Sequence, residues 1–160
     1  MEVLRTASEP VRGSDLAAKM GVSRQVIVGD MAILRAEGQP ILGSPQGYLL
    51  VERGPVAGEP AVLAVRHDRS GARRELETLV EHGLTVVDVL VDHPIYGEIR
   101  GNLMIATLED VDRFLESLDR GEAELLSRLT GGVHLHSVRA PSAEALEGAK
   151  AALREAGILL

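Results

Sequence analysis

An α+β protein in two parts is expected from three features of this chain. Residues 54–60, Gly-Pro-Val-Ala-Gly-Glu-Pro, hold two prolines and two glycines and break both helix and strand. Before them the pattern is helix, tight turn, helix, hairpin. After them strand-like and helical runs alternate as β-α-β-β-α-β-α, the order of an open-faced sandwich with helices on one face of a mostly antiparallel sheet. The chain therefore divides into residues 1–53, a linker at 54–60, and residues 61–160.

In the first part, Ser14 is placed to cap a helix running to about Met20, and Gly21-Val22-Ser23 forms a turn. Ser23 then caps a second helix from Arg24 to about Glu37, because its side-chain oxygen can accept an orphan N–H of the first turn. Ile27, Met31 and Leu34 recur at helical spacing and make one buried stripe. Gly38 follows where a C-terminal glycine belongs. Ile41-Leu42 and Tyr48 to Val51 flank a Gly/Pro turn and read as a hairpin. This order is that of an N-terminal winged helix-turn-helix.

In the second part, strands are expected at 61–67, 85–91, 103–107 and 133–138, the last with clean period-2 alternation. Helices are expected at 70–81, 108–118 and 142–156, each with an apolar face. Phe114 is the one phenylalanine and there is no tryptophan, so packing rests on Leu, Val and Ile.

At 160 residues the chain is long enough to bury a core. With no cysteine, disulfide scaffolds and thiolate chemistry are excluded. No apolar run is long enough to span a membrane, and the start does not read as a signal peptide, so the expected compartment is the cytoplasm. Residues 1–53 carry six Lys/Arg and six Asp/Glu, and residues 54–160 carry eleven and eighteen. The whole net charge of −7 thus lies in the second part. Any contact with nucleic acid belongs to the first part and to locally placed charges.

The second helix of a helix-turn-helix enters the major groove with its N-terminal residues at the base edges. Here those are Arg24 and Gln25, which match guanine and adenine bidentately. Arg35 also lies off the buried stripe. Lys19, Ser23 and the wing around Gln46 are placed for phosphates. The competing reading is a helical hairpin with a capping serine and solvated arginines.

All five histidines, at 67, 82, 93, 134 and 136, fall in the second part. His134 and His136 are two apart on a strand, so both imidazoles point to one face. If the first and last strands are neighbours, His67 joins them. Three imidazoles and a carboxylate are ordinary ligands for zinc, nickel, iron or manganese. Glu75 borders the apolar face of the following helix and is the carboxylate within reach, although spacing alone reads it as solvated. His93-Pro-Ile-Tyr-Gly-Glu-Ile-Arg100 gathers His93, Tyr96 and Arg100 into a loop suited to a small anion, or else a tight connection with surface charges. His82, at a helix end, reads as structural.

His93-Pro-Ile-Tyr-Gly-Glu-Ile and Gly131-Gly-Val-His-Leu-His, behind Val22-Ser-Arg-Gln-Val-Ile-Val and Arg35-Ala-Glu-Gly, resemble the nicotinate-responsive transcriptional repressors. These bacterial regulators join a winged helix-turn-helix to a three-histidine domain. The resemblance covers nearly the whole chain. It implies repression of NAD-biosynthesis or niacin-uptake genes, nicotinic acid as co-repressor, a homodimer on double-stranded operator DNA, and one divalent metal per chain. It places the metal ligands at His67, Glu75, His134 and His136. The chain departs from the family in two ways. It begins almost inside the first helix, which is therefore expected to be clipped, and it has Gly29 where a basic residue is common.

The expected function is ligand-controlled repression, not catalysis. A metal-responsive regulator indifferent to nicotinate is the nearer alternative. A metallohydrolase, with metal-activated water, is the more distant one.

Overall fold

The computed structural model describes residues 2–7, 9–50, 58–121 and 124–160. Contacts divide the chain into two compact units, residues 1–55 and 56–160.

The first unit contains α1 (Glu2–Arg5), α2 (Gly13–Met20), α3 (Arg24–Ala36), β1 (Ile41–Ser44) and β2 (Gly47–Leu50). Ser23 caps α3 as expected, its Oγ accepting the Val26 N–H at 3.3 Å. Ser14 does not cap α2. That helix begins at Gly13, two residues earlier than a Ser14 cap implies, with Arg12 at the cap position and no side-chain cap bond. Ile27 and Met31 are buried with Leu4, Leu16, Ala17 and Ile41, and Leu34 packs against them. Leu4 is only 2% exposed, so α1 belongs to this core. β1 and β2 pair antiparallel from Ile41↔Leu50 to Ser44↔Gly47, leaving Pro45-Gln46 as a two-residue turn. Val11 and Tyr48 exchange both backbone hydrogen bonds at 2.8 Å, which ties the wing to the segment before α2. The expected last wing residue, Val51, lies outside the described residues.

The second unit contains β3 (Glu59–Arg66), α4 (Ala72–Glu81), β4 (Thr85–His93), β5 (Gly97–Ile105), α5 (Leu108–Asp119), β6 (Val133–Ala140) and α6 (Ala143–Glu155). The sheet order is β3-β6-β4-β5, every pair antiparallel. First and last strands are thus neighbours, as the histidine argument required. The linker reading at 54–60 needs correction at its end, and residues 54–57 lie outside the described residues. Glu59 and Pro60 open β3, paired with Ala140 and Arg139. β3 is an edge strand, where a proline's missing N–H costs no ladder bond.

Leu63, Val65, Val86, Leu103, Ile105, Val138 and Ala140 of the sheet pack with Leu76, Leu79, Val111, Ala149 and Leu153 of the helices. Phe114 borders this aliphatic core. On β6 alternate residues His134, His136, Val138 and Ala140 are all buried. The histidines therefore share the face that the helices cover. A register shift between Val86 and Asp88 puts a bulge in β4 against both of its neighbours. Among the described residues no helix is long and apolar enough to cross a membrane.

Candidate functional site

β3 ends at Arg66, and His67 follows it. The next turn is set by Asp68, whose Oδ1 accepts the Ser70 N–H at 2.8 Å. That turn starts α4 and puts Glu75 in its first turn, facing the sheet. Two glycines let the backbone close around His67. A Cβ at Gly71 would lie 2.6 Å from the His67 Cβ, and one at Gly132, where φ is +93°, would lie 2.5 Å from the His67 carbonyl oxygen. The alternation of β6 brings His134 and His136 onto the same point.

The result is three imidazoles around one carboxylate. His67 Nε2 is 2.7 Å from Glu75 Oε2, His134 Nε2 is 3.6 Å from the same oxygen, and His136 Nε2 is 3.4 Å from Oε1. The rings meet edge to face, with centroids 4.8 Å apart from His67 to His134 and again from His134 to His136. Each Nδ1 faces a backbone carbonyl: Asp68 at 2.6 Å for His67, Gly132 at 2.9 Å for His134 and Asp88 at 2.8 Å for His136. Those carbonyls accept the Nδ1–H and so direct each Nε2 lone pair inward. This is the outer-shell pattern that orients histidine ligands of metals. Glu75, expected from spacing alone to be solvated, is 1% exposed.

Burial opposes charge here, but the cluster overrides it. Desolvation penalises the Glu75 carboxylate, yet the charge at His136 and the surrounding imidazoles hold its carboxyl well below the usual range. Burial likewise disfavours a charged His67 or His136, and the Glu75 carboxylate more than offsets it, so both are raised above 6.5. Within the cluster the His67 Nε2–Glu75 Oε2 contact at 2.7 Å is a hydrogen bond.

The group has the dimensions of a metal site. The ligand atoms of His67, Glu75 and His134 lie within 4.8 Å of one another. Tetrahedral zinc, with bonds near 2.0–2.1 Å, needs ligand atoms separated by roughly 3.3 Å. Glu75 Oε1 is buried and makes no hydrogen bond among the described residues. A divalent cation among His67, Glu75 and His134 is compatible with these residues, while His136 lies outside that group and reaches Glu75 Oε1 at 3.4 Å.

A cavity of about 190 Å³ opens beside the cluster, walled by Val89, Gly101, Leu103, Phe114, Leu118 and Leu126. His93, Tyr96 and Arg100, the residues expected to bind an anion, do not line it. The expected loop is mostly strand, with only residues 94–96 between β4 and β5. His93 Nδ1 accepts the Ile95 and Tyr96 N–H groups, and its ring stacks on Tyr96 at 4.9 Å. Arg100 is paired with Leu90, one residue out of phase with Gly101, and so projects from the opposite face. There its guanidinium donates to Asp88 Oδ2 at 2.8 Å and pairs with Glu98.

Sequence reasoning missed the cavity and Asp88. This aspartate is 2% exposed, and its Oδ1 accepts the Ser137 N–H at 3.1 Å beside the β4 bulge. Its carbonyl orients His136. A single acid inside Thr85-Val-Val-Asp-Val-Leu-Val was the available signal.

In the first unit Arg24 and Gln25 at the start of α3, Ser23 at its N-cap and Lys19 in the last turn of α2 are all exposed. Arg35 is engaged with the wing. Its Nε donates to the Ile41 carbonyl at 3.0 Å, and its guanidinium lies 5.6 Å from the Tyr48 ring centre. Gln46 is buried, with neither amide atom hydrogen bonded among the described residues, so it is not presented to phosphates. The tight two-residue turn folds it inward.

An exposed helix after a tight turn, with a hairpin behind it, and a separate unit holding a buried histidine–carboxylate cluster fit a DNA-binding transcription regulator, and the comparisons place the chain in that class. Residues 1–49 match an HTH domain family, and residues 60–160 match the 3H domain family. The chain is 40% identical over its whole length to a probable transcription repressor, NiaR, of Thermotoga maritima, covering 90% of that protein. It is 37% identical to the transcription repressor NadR of Bacillus subtilis, over 98% of this chain and 88% of that one. The chain belongs to the NiaR-like family of HTH–3H transcription repressors. Its relatives are repressors rather than enzymes, which removes the metallohydrolase alternative.

Proposed function

We propose that this protein represses genes of NAD biosynthesis or niacin uptake, with nicotinic acid as co-repressor. One divalent transition metal per chain is held by His67, Glu75, His134 and His136. The protein acts in the cytoplasm as a homodimer on a two-fold-related operator, with residues 1–53 reading DNA and residues 61–160 sensing. The carrying observation is the convergence of three Nε2 atoms on one buried carboxylate oxygen pair. When bound, the metal supplies a fixed positive charge in an otherwise apolar interior.

The chain's own residues do the rest. Asp68, Gly132 and Asp88 carbonyls hold the imidazoles in one tautomer. Arg24 and Gln25 contact base edges, while Lys19 and Ser23 hold backbone phosphates. Ligand control is a population shift. Nicotinate favours the dimer geometry whose two recognition helices sit one DNA turn apart, and it does so only by its differential affinity for that state.

The test is fluorescence anisotropy with duplexes selected from a random pool. Operator affinity is expected to rise by about 5–150-fold with nicotinate, the usual span of an allosteric coupling. Affinity that follows metal and ignores nicotinate would establish the metal-responsive alternative instead.

A further inference from the structure

We propose that α3 reads thymine through its 5-methyl groups, with Val26 and Ile33 making the contacts and Gly29 letting the helix backbone come close to the bases. This rests on α3 being the DNA-reading helix and deepens that reading.

The faces of α3 set the first constraint. Ile27 and Met31 are buried and Leu34 packs beside them, so the outward direction lies opposite that stripe. At helical spacing the outward half of α3 carries Gln25, Val26, Gly29, Ala32 and Ile33, all of them exposed. Gln25 is the sole polar side chain of that half. Val26 is 45% exposed and Ile33 59%, and neither joins the core of its unit. Arg24, Asp30 and Arg35 fall on the flanks, where Arg35 is engaged with the wing.

Gly29 is a second and independent observation. Glycine inside a helix is destabilising relative to alanine, because it loses more backbone freedom on folding. Nothing in the fold requires it here. A Cβ at Gly29 would meet no atom within 4 Å, so no neighbour excludes a side chain. Bare backbone at the centre of an outward face suits close approach of a ligand.

The occupant follows from continuity with the DNA-reading end of the helix. Gln25 lies on the same half, and Lys19 and Ser23 are exposed beside it. Among the base edges of the major groove the one apolar group is the thymine methyl. Val26 and Ile33 carry no hydrogen-bonding atoms, so methyl contact is the base-specific interaction open to them. A second copy of the chain is the other conceivable occupant. A stable interface takes about 800 Å² from each partner, more than Val26, Ala32 and Ile33 supply.

The experiment is fluorescence anisotropy of the full-length protein with a duplex it has selected from a random pool. Each thymine is replaced in turn by deoxyuridine, which removes only the methyl. Burying one methyl is worth about fourfold in affinity, so wild type should lose about fourfold at each contacted thymine. Val26→Ala and Ile33→Ala should weaken the parent duplex by about fourfold or more, and their double variant should no longer distinguish thymine from deoxyuridine. Gly29→Leu should raise Tm by roughly 2–4 °C. It should also weaken the duplex at least about tenfold, because holding α3 away costs the Gln25 contact too. Wild type indifferent to deoxyuridine, or a double variant that keeps the discrimination, overturns methyl reading alone. Indifference together with a changed sedimentation mass in the double variant assigns the stripe to a contact between copies instead. Failure to enrich any duplex overturns DNA reading by α3 and this proposal with it.

Discussion

Replacing Glu75 by Gln is expected to abolish metal binding, lowering affinity by at least about 100-fold. Loss of a mere outer-shell partner already costs about 10–100-fold, and Glu75 is the one anion among the proposed ligands. A metal at about 100 times its Kd stabilises the folded form by roughly 2.7 kcal/mol. In a unit of this size that raises Tm by about 10–20 °C. The variant should show no such rise.

Its pH dependence is equally diagnostic. In metal-free wild type, the raised His67 and His136 contribute stability that is present below pH 6.5 and lost as pH climbs through their folded values. The depressed Glu75 contributes stability that is present above its ordinary 4.5 and lost as pH falls through its lower folded value. Chelated wild type is therefore most stable between those two pH values. Metal loading moves the optimum upward, because protons no longer compete for the imidazoles. Glu75→Gln removes the carboxylate that causes both shifts, so its curve should flatten. Denaturant unfolding from pH 4 to 8, with and without chelator, checks this. A variant that binds metal like wild type would remove Glu75 from the centre.

Replacing Arg24 by Ala is expected to cost about 1–3 kcal/mol of operator affinity per half-site, and so about 2–6 kcal/mol in a two-fold dimer. The loss should fall on sequence preference, because a base-edge contact goes. Lys19→Ala should instead weaken all sequences alike and reduce the salt slope by about one per phosphate released. Arg35→Ala is the control. Its guanidinium holds the Ile41 carbonyl and the Tyr48 ring, so the wing loosens and base preference stays. Selection of preferred sites by each variant reads these outcomes. An unchanged preference in Arg24→Ala would move base reading off the start of α3.

The elements were largely legible because their signals are local. Ser23 caps, Ile27 and Met31 form a stripe, and β6 alternates. The histidine centre was legible for a related reason, since alternation fixes His134 and His136 on one face and sheet order brings His67 beside them. Glu75 needed family resemblance, because a helix-border acid looks the same in sequence whether solvated or buried.

What was not legible is non-local. Arg100 lies on the far face because strand parity, not proximity in sequence, decides its direction. Gln46 turns inward because the hairpin closes over two residues. The cavity is bounded by residues from α4, β4, β5, α5, β6 and the segment before β6, and no single run reveals a space formed between elements.

The most direct test of a metal-dependent nicotinate sensor is thermal unfolding with nicotinate or nicotinamide, in metal-loaded and chelated protein. A Tm rise with nicotinate, absent with nicotinamide and lost on chelation, is the expected result. A rise that survives chelation, or none in either form, would contradict the account.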